Sequence, residues 1–393
     1  MPSNKVLEQH IAVFGESGSG KTVMLSSFYG SEQEPQNIKK GAFNVVAENA
    51  GQGTHLHQNY LGMKNSARVP DATKFAATSY RFLLKLKGET EVKKPLKAKP
   101  FDALRLVWHD YPGEWFEQDI SGPEEAQRRV EAFRGLLGSH VALLLVDGQK
   151  LLDNASEEER YLKSLLSNFR NSLVLLRDDL LEDGKPLVTF PRIWVIALSK
   201  ADLLPDLDVH AFKELVIEKV GDDIVELRTV LGGLVESDGA LSVGEDFVLI
   251  SSAKFSTDAI EVTQRIGLDL ILPMAAVLPF ERHVRWAQAE KLTKNVAMKL
   301  MGNAEVVAAA LGAASGIVAV LIGKKNKVAG AVGLALSRLT PKLEDAIKSA
   351  GAKLEAADAA AATKQQNLAA TLDGFRKDLD AGEEKAILIR SPG

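Results

Sequence analysis

Apolar stretches alternate with helix-like, amphipathic stretches along roughly the first 280 residues of the chain. Short apolar runs bounded by turn residues predict β-strands, and the longer periodic stretches between them predict α-helices. This alternation favours an α/β fold in which a mostly parallel sheet carries helices on both faces. The predicted strands are residues 10–14, 81–87, 103–109, 141–147, 192–198 and 246–250.

Two of these strands have an uninterrupted apolar sequence, Val-Ala-Leu-Leu-Leu-Val over 141–146 and Ile-Trp-Val-Ile-Ala-Leu over 193–198. Central strands of a parallel sheet are covered on both faces and have this composition. A charged loop over residues 88–100 separates strands 81–87 and 103–109, and it favours an antiparallel pair there. The lysines of this loop are interpreted as a solvated turn.

The pattern changes after about residue 280, where we predict a helical region over 281–393. Residues 306–322 carry no charge, and a second apolar run over 328–336 follows a Lys-rich turn. Together they predict an apolar helical hairpin over 304–336, and the Ala-rich stretch 341–384 predicts a long helix. The hairpin either packs against the α/β domain or a partner, or enters a membrane partway.

Composition narrows the function further. The 48 basic and 52 acidic residues are nearly balanced, which argues against a nucleic-acid-binding surface. The absence of cysteine excludes disulfides, thiolate metal sites and a cysteine nucleophile. The first predicted strand begins at residue 10, which leaves no room for a signal peptide, so we expect a cytoplasmic domain that associates with membrane if the hairpin meets lipid.

The segment after the first strand, Gly-Glu-Ser-Gly-Ser-Gly-Lys-Thr, has the G-x-x-x-x-G-K-T pattern of a loop that binds nucleotide phosphates. Glycines allow backbone N–H groups to point at phosphate oxygens, and the following helix presents its positive end. Lys21 is expected to reach the β- and γ-phosphates, and the Thr22 hydroxyl to bind Mg²⁺. The predicted phosphate-binding residues are Gly15, Ser17, Gly18, Ser19, Gly20, Lys21 and Thr22.

Three further motifs follow predicted strands, where ligands of open α/β sheets bind. An acid and a glycine, Asp110 and Gly113, follow strand 103–109 in the pattern D-x-x-G, and an acid there binds Mg²⁺ through water. The other two motifs are Ser199-Lys200-Ala201-Asp202 after strand 192–198 and Ser251-Ser252-Ala253-Lys254 after strand 246–250.

This order of motifs resembles the Ras-like, translation-factor-related (TRAFAC) class of phosphate-loop GTPases over residues 10 to about 275. Pro-Asp-Ala-Thr over 70–73, followed by Tyr-Arg-Phe over 80–82, looks like the bacterial double-GTPase and conflict-system domains of that class. The resemblance implies GTP or GDP and Mg²⁺ as ligands. It also implies insertions at about 30–75, in the first switch region, and at about 150–190.

The resemblance assigns the base-binding residues. Asp202 would accept hydrogen bonds from guanine N1 and N2, and Lys200 would pack along the base. Ser199 stands where Asn or Thr is usual, and its hydroxyl is expected to bond back to the phosphate loop. Ser252, Ala253 and Lys254 would close over guanine O6.

The resemblance also implies a catalytic set of Lys21, Thr73, Gly113 and Glu114, with Thr22, Asp110 and Thr73 at the metal. Thr78 and Thr54 are the alternatives to Thr73 as the switch threonine. Glu114 stands where such enzymes often carry a water-orienting Gln, and its carboxylate would repel the γ-phosphate and slow hydrolysis. Alternatively, Glu114 is an acidic residue at a helix N-terminus.

The leading hypothesis is a Mg²⁺-dependent GTP-binding switch with slow hydrolysis. Its output would pass through the helical C-terminal region, by contact with a protein partner, self-association or membrane contact through 304–336. One alternative is a membrane-associated assembly protein like dynamins or immunity-related GTPases. Others are a phosphate-loop ATPase and a non-catalytic GTP-binding scaffold.

Overall fold

The computed structural model centres on one large β-sheet with helices on both faces. The part of the chain that the structure describes comprises residues 7–40, 43–70, 78–86, 104–110, 112–113, 122–181, 183–256, 259–289, 291–293, 295–296 and 371–391. The strands are β1 (Leu7–Phe14), β2 (Phe43–Ala47), β3 (Thr78–Leu86), β4 (Leu104–Asp110), β5 (Val141–Asp147), β6 (Ile193–Ser199), β7 (Asp246–Ile250), β8 (Lys254–Phe255), β9 (Ile260–Glu261) and β10 (Leu388–Ile389).

Eight strands form the large sheet in the order β10-β7-β6-β5-β1-β4-β3-β2. The five central strands, from β7 to β4, are parallel. Both edges are antiparallel, because β3 pairs with β4 and β2 at one side and β10 pairs with β7 at the other. The carboxyl ends of the parallel strands therefore meet at one edge of the sheet, where a ligand site is expected.

Two helical layers cover this sheet. The helices are α1 (Lys21–Glu32), α2 (Pro35–Lys40), α3 (Ala50–Ser66), α4 (Pro123–Leu137), α5 (Gly148–Asp153), α6 (Glu158–Leu175), α7 (Arg177–Leu180), α8 (Val209–Gly232), α9 (Ile271–Gln288) and α10 (371–384). Side chains of α1, α9 and α10 share one buried core, and those of α4, α6 and α8 share the other.

Alternation along β1 shows how the sequence serves both cores. Ile11 and Val13 pack into the α1–α9 core, whereas Ala12 and Phe14 pack into the α4–α6–α8 core. All four side chains are fully buried, as expected for a strand covered on both faces. Every residue of β5 and β6 is also buried, so the interpretation of these two apolar runs as central strands is confirmed.

The six predicted strands are confirmed to within a few residues, as is the antiparallel pairing of the second and third. The edge strand β2 was missed, since it is a five-residue strand that lies inside the predicted insertion and is only partly buried. Its pairing with β3 depends on long-range contact rather than on an apolar run.

The C-terminal segment 371–391 returns to the sheet instead of extending from it. Leu372, Phe375, Leu379 and Leu388 are each 4% exposed or less within the α1–α9 core. The Phe375 ring contacts the Phe43 ring edge-on at 5.4 Å. A helix ending at residue 384 agrees with the sequence, whereas β10 departs from the expectation of a purely helical region. The apolar hairpin 304–336 and residues 341–370 lie outside the described residues.

The end of this segment binds a buried ion pair between α9 and β7. The Arg282 guanidinium of α9 donates to Asp246 Oδ1 at 2.5 Å, and both side chains are at most 2% exposed. The Ser391 backbone N–H donates to the same carboxylate oxygen at 2.8 Å. Removing the C-terminal residues takes this donor from Asp246. Because a buried charge is costly without its hydrogen-bond partners, we expect the loss to destabilise the fold.

A network of three histidines joins β1, β4 and the residue before β5. His10 Nδ1 lies 2.9 Å from His109 Nε2, and His10 Nε2 lies 2.7 Å from Glu8 Oε1. The His10 backbone N–H donates to His140 Nδ1 at 2.9 Å, which requires an unprotonated nitrogen there. Burial, together with the nearby His10, lowers the pKa of both His109 and His140 to about 4. The fold therefore keeps these two histidines neutral.

Acid is expected to destabilise the protein through these histidines. The pKa of His283 is lowered further, to about 3, by burial beside His140 and Arg192. Since these pKa values are depressed in the fold, the unfolded chain binds more protons below pH 6.5. The contribution of these neutral histidines to the free energy of unfolding is complete above pH 6.5 and is lost as the pH falls toward 4. Urea midpoints measured from pH 7.5 to 4 check this.

The matched variant is His140→Gln, which keeps an acceptor for the His10 N–H. At pH 5 it is expected to take up about one proton fewer on unfolding than the wild type. A slope of stability against pH that is identical in the two proteins contradicts the assignment to His140.

Candidate functional site

The phosphate-loop motif lies between β1 and α1, at the carboxyl edge of the sheet. Gly18 and Gly20 have φ values of 79° and 89°, in the left-handed region that glycine adopts without strain. A Cβ atom on either would meet nothing within 4 Å. Gly20 precedes α1 and provides no side-chain cap, so this 12-residue helix presents its positive N-terminus without a capping side chain.

Lys21 is held over the loop by backbone carbonyls. Its Nζ donates to the carbonyl oxygens of Gly15 at 2.6 Å and Glu16 at 3.0 Å, and the side chain is buried. The Ser19 hydroxyl lies beneath the loop beside Gly15, where a larger residue than glycine would collide with it. A positive charge, a helix N-terminus without a side-chain cap and left-handed glycines together make an anion-binding loop.

The D-x-x-G motif meets this loop. Asp110 ends β4, which lies next to β1 in parallel, and its side chain is 2% exposed. Gly113 rests on the phosphate loop so closely that a Cβ there would overlap the Ser17 nitrogen and the Glu16 carbonyl group, well under 3.0 Å away. The structure thus brings Asp110 and Gly113 to the phosphate loop, and position 113 accepts only glycine without a shift in the backbone.

The base-binding motif follows β6. Lys200 has a left-handed φ of 53°, and its Nζ donates to Asp147 Oδ2 at 2.7 Å. The Ser251 hydroxyl donates to Asp202 Oδ1 at 2.7 Å, so the residue expected to read guanine already has an orienting partner. The Ser199 hydroxyl donates to the Val146 carbonyl of β5 at 3.2 Å instead of to the phosphate loop, which corrects the expectation for that residue.

The motif over residues 251–254 lies beside Asp202. Ser252 is half-buried, Ala253 is fully buried and Lys254 is exposed at the start of β8. The Ser251 hydroxyl contacts both the Ala253 carbonyl, at 2.9 Å, and Asp202. Ser251 therefore connects its own motif to Asp202 of the motif after β6. This role was not assigned to it from the sequence.

The turn from β5 into α5 was not assigned to the site from the sequence. It contacts both the phosphate loop and the motif over residues 199–202. The Asp147 carboxylate accepts from the Gln149 N–H and pairs with Lys200. Gly148 packs against the Ser199 and Lys200 carbonyls, where a Cβ would overlap them. Lys150 Nζ donates to Glu16 Oε2 at 2.7 Å. Asp147 follows an apolar strand, which is the same signal that identified the other motifs.

The switch threonine and the water-orienting position are only partly described. Thr73 and Glu114 lie outside the described residues, so their roles stay predictions. Thr54 is exposed on α3. Thr78 begins β3 and stands opposite Asp110 in the antiparallel register, which places it at the same end of the sheet as this acid, the one predicted to bind Mg²⁺.

The donor groups fit Mg²⁺ and a phosphate ligand. The hydroxyl of Thr22, in the first turn of α1, and the Asp110 carboxylate are hard oxygen donors of the kind that Mg²⁺ prefers. Lys21 and the α1 N-terminus supply positive charge for phosphate. Separately, within the part of the chain that the structure describes, no helix is long and apolar enough to cross a bilayer.

Three solved structures are similar to parts of this chain. The chain is similar to the signal recognition particle receptor SRb in an SRb-GTP/SRX complex from Chaetomium thermophilum, at 17% identity and a TM-score of 0.32, covering 65% of this chain and 94% of that one. It is also similar to Roco2 RocCORdC of Methanosarcina barkeri bound to GDP, at 14% identity and a TM-score of 0.23, covering 63% of this chain and 45% of that one. A third similar structure is the S. cerevisiae Ski7 GTPase-like domain bound to GTP, at 16% identity and a TM-score of 0.30, covering 63% of this chain and 43% of that one.

A search of curated protein sequences found no match to this chain. The family model of Double-GTPase 2 matches residues 9–230, from β1 into α8. This range is more than half of the chain and includes the phosphate loop, the D-x-x-G motif and the base-binding motif. The predicted resemblance to Ras-like double-GTPase domains is therefore confirmed, and the protein belongs to the Double-GTPase 2 family.

Proposed function

We propose that this protein is a guanine-nucleotide switch that binds GTP with Mg²⁺ and hydrolyses it slowly. The observation that carries the proposal is the meeting of three motifs at one edge of the sheet: the phosphate loop, Gly113 resting on that loop, and Asp202 held by Ser251. Membership of the Double-GTPase 2 family supports the choice of nucleotide.

Asp202 reads the base. A carboxylate accepts two hydrogen bonds from the N1 and N2 groups of guanine, whereas adenine offers no matching pair of donors. Ser251 occupies one oxygen of this carboxylate and thereby fixes its orientation. Lys200, itself positioned by Asp147, packs along the base, and Ser252, Ala253 and Lys254 close over guanine O6.

Lys21 and the α1 N-terminus neutralise the phosphates, and the hydroxyl of Thr22 and the Asp110 carboxylate would hold Mg²⁺. When bound, the metal would supply positive charge that offsets the negative charge of the triphosphate. Water attacks the γ-phosphorus in line, the bond to the bridging oxygen breaks, and GDP and inorganic phosphate result. Thr73 and Glu114 are assigned to this step, and the negative charge of Glu114 keeps it slow.

The switch is the segment that begins at Asp110. Gly113 lies against the phosphate loop, so its N–H is near the place where a γ-phosphate would bind. Loss of that phosphate changes the contacts of this segment, an order-to-disorder mechanism that other nucleotide switches use. The output passes through the C-terminal region to a protein partner, a second copy or a membrane surface.

The test is equilibrium binding of fluorescent GTP, GDP and ATP analogues with Mg²⁺ to the wild type and to Asp202→Ala. Two hydrogen bonds to a charged group are lost, so guanine-nucleotide affinity is expected to fall about tenfold to hundredfold, with little change for ATP. The matched control is Asp206→Ala, which removes an exposed carboxylate four residues further along. Equal or tighter binding of ATP by the wild type contradicts the guanine assignment and favours an ATPase.

A further inference from the structure

An acidic residue lies inside the anion-binding loop. Glu16 directly follows Gly15, and its side chain is only 8% exposed. Its carbonyl accepts from Lys21 Nζ, and its backbone supports Gly113. A buried carboxylate at this place repels phosphate, because low local polarity strengthens the interaction between like charges. The loop therefore needs a compensating positive charge close to Glu16.

Lys150 supplies that charge from another element. Its Nζ lies 2.7 Å from Glu16 Oε2, although 134 positions separate the two residues in the sequence. The ammonium also lies 5.9 Å from the centre of the Tyr161 ring, and the Tyr161 hydroxyl accepts the Asp147 N–H at 2.8 Å. Lys150 is thus fixed at the start of α5 by an aromatic ring as well as by the carboxylate.

The short β5–α5 turn that carries Lys150 is also bound to the base-binding motif. Asp147, three residues earlier, pairs with Lys200, and Gly148 packs against the carbonyls of Ser199 and Lys200. One turn therefore contacts the phosphate loop through Lys150 and the base side through Asp147. This double attachment holds Lys150 beside the loop.

We propose that Lys150 is a positioning residue of the nucleotide site: its ion pair with Glu16 cancels the negative charge that this carboxylate brings to the phosphate loop and so sets the preference for triphosphate over diphosphate. The proposal rests on the proposed nucleotide binding and deepens it. The charge acts on phosphate whichever base is bound, so its signature is the ratio of triphosphate to diphosphate affinity. This ratio separates the proposal from base selectivity.

The experiment measures the dissociation constants of GTP, GDP, ATP and ADP for the wild type, Lys150→Met, Glu16→Gln and the double variant. Lys150→Met leaves the Glu16 charge uncompensated and is expected to weaken GTP binding on the order of tenfold, with a smaller loss for GDP. Glu16→Gln leaves a net positive charge and is expected to tighten GTP binding. The double variant restores the net charge and returns both affinities to within about threefold of the wild type.

The control is Lys163→Met, which breaks an exposed ion pair of the same 2.7 Å length with Glu159 on α6 and is expected to leave every affinity unchanged. Unchanged affinities in Lys150→Met overturn the proposal. So does a double variant that binds GTP as weakly as Lys150→Met, since Lys150 would then act without Glu16. A wild type that prefers ATP overturns the guanine assignment alone, because ATP and ADP still report the ratio. A wild type that binds none of the four overturns both.

Discussion

A chain that ends at residue 370 is expected to lose its cooperative unfolding transition. The deletion removes Leu372, Phe375, Leu379 and Leu388, all buried in the α1–α9 core. Burying one such side chain contributes about 1.5–3 kcal/mol, so the four contribute roughly as much as the whole stability of a typical domain. The deletion also takes the Ser391 N–H from the buried Asp246 carboxylate. Thermal unfolding followed by circular dichroism checks the expectation.

Two point variants test the same contribution of segment 371–391 to stability with smaller changes. Leu379 is fully buried, so Leu379→Ala is expected to lower the free energy of unfolding by about 2–5 kcal/mol. Lys377, two residues earlier, is exposed, and Lys377→Ala is expected to change it by less than about 0.5 kcal/mol. A shortened chain that melts at the wild-type temperature contradicts the structural role of segment 371–391.

This packing bears on how the C-terminal region carries an output. Helix α9 and segment 371–391 pack into the same core on one face of the sheet. The chain between them therefore starts and ends on the nucleotide-binding domain. A fragment that stops near residue 280 would lack part of the core, so it is a poor reagent for testing what the apolar stretch 304–336 does. The division into 1–280 and 281–393 stays a prediction.

The central sheet was predictable because its strands carry a local signal. β5 and β6 are uninterrupted apolar runs, and burial on both faces requires such runs. The edges gave a weaker signal. β2 is partly exposed, and β10 is only two residues long and exists through its pairing with β7. Edge strands depend on tertiary contacts, which a local pattern does not contain.

The clustering of the candidate site's residues was predictable from the motifs that follow strand ends. Asp110, Asp202 and the phosphate loop each follow an apolar strand, and parallel strands bring their ends together. The partners of these residues were not predictable in the same way. Lys150 contacts Glu16 although 134 positions separate them in the sequence, and only the three-dimensional fold brings the two together.

Gly113→Ala is expected to reduce the rate of GTP hydrolysis roughly a hundredfold to a thousandfold. The added Cβ overlaps the Ser17 nitrogen and the Glu16 carbonyl group, both backbone atoms that cannot rotate away. The segment carrying Gly113 must therefore move off the phosphate loop, and its N–H leaves the place proposed for the γ-phosphate. Loss of one positioned N–H donor has effects of this size on reactions that develop negative charge. Single-turnover hydrolysis at saturating GTP measures the rate.

The diphosphate separates this effect from general damage. GDP lacks the γ-phosphate, so Gly113→Ala is expected to change GDP affinity far less than it changes hydrolysis. Gly122→Ala is the matched control, because its backbone is extended, with a φ of 169°, and a Cβ there meets nothing within 4 Å. It should hydrolyse GTP at close to the wild-type rate. A backbone shift large enough to admit a Cβ at position 113 would carry the Gly113 N–H out of reach of the γ-phosphate. If Gly113→Ala nevertheless hydrolyses GTP within about threefold of the wild-type rate, the Gly113 N–H does not act on the γ-phosphate. The sensing role must then belong to another residue of the segment.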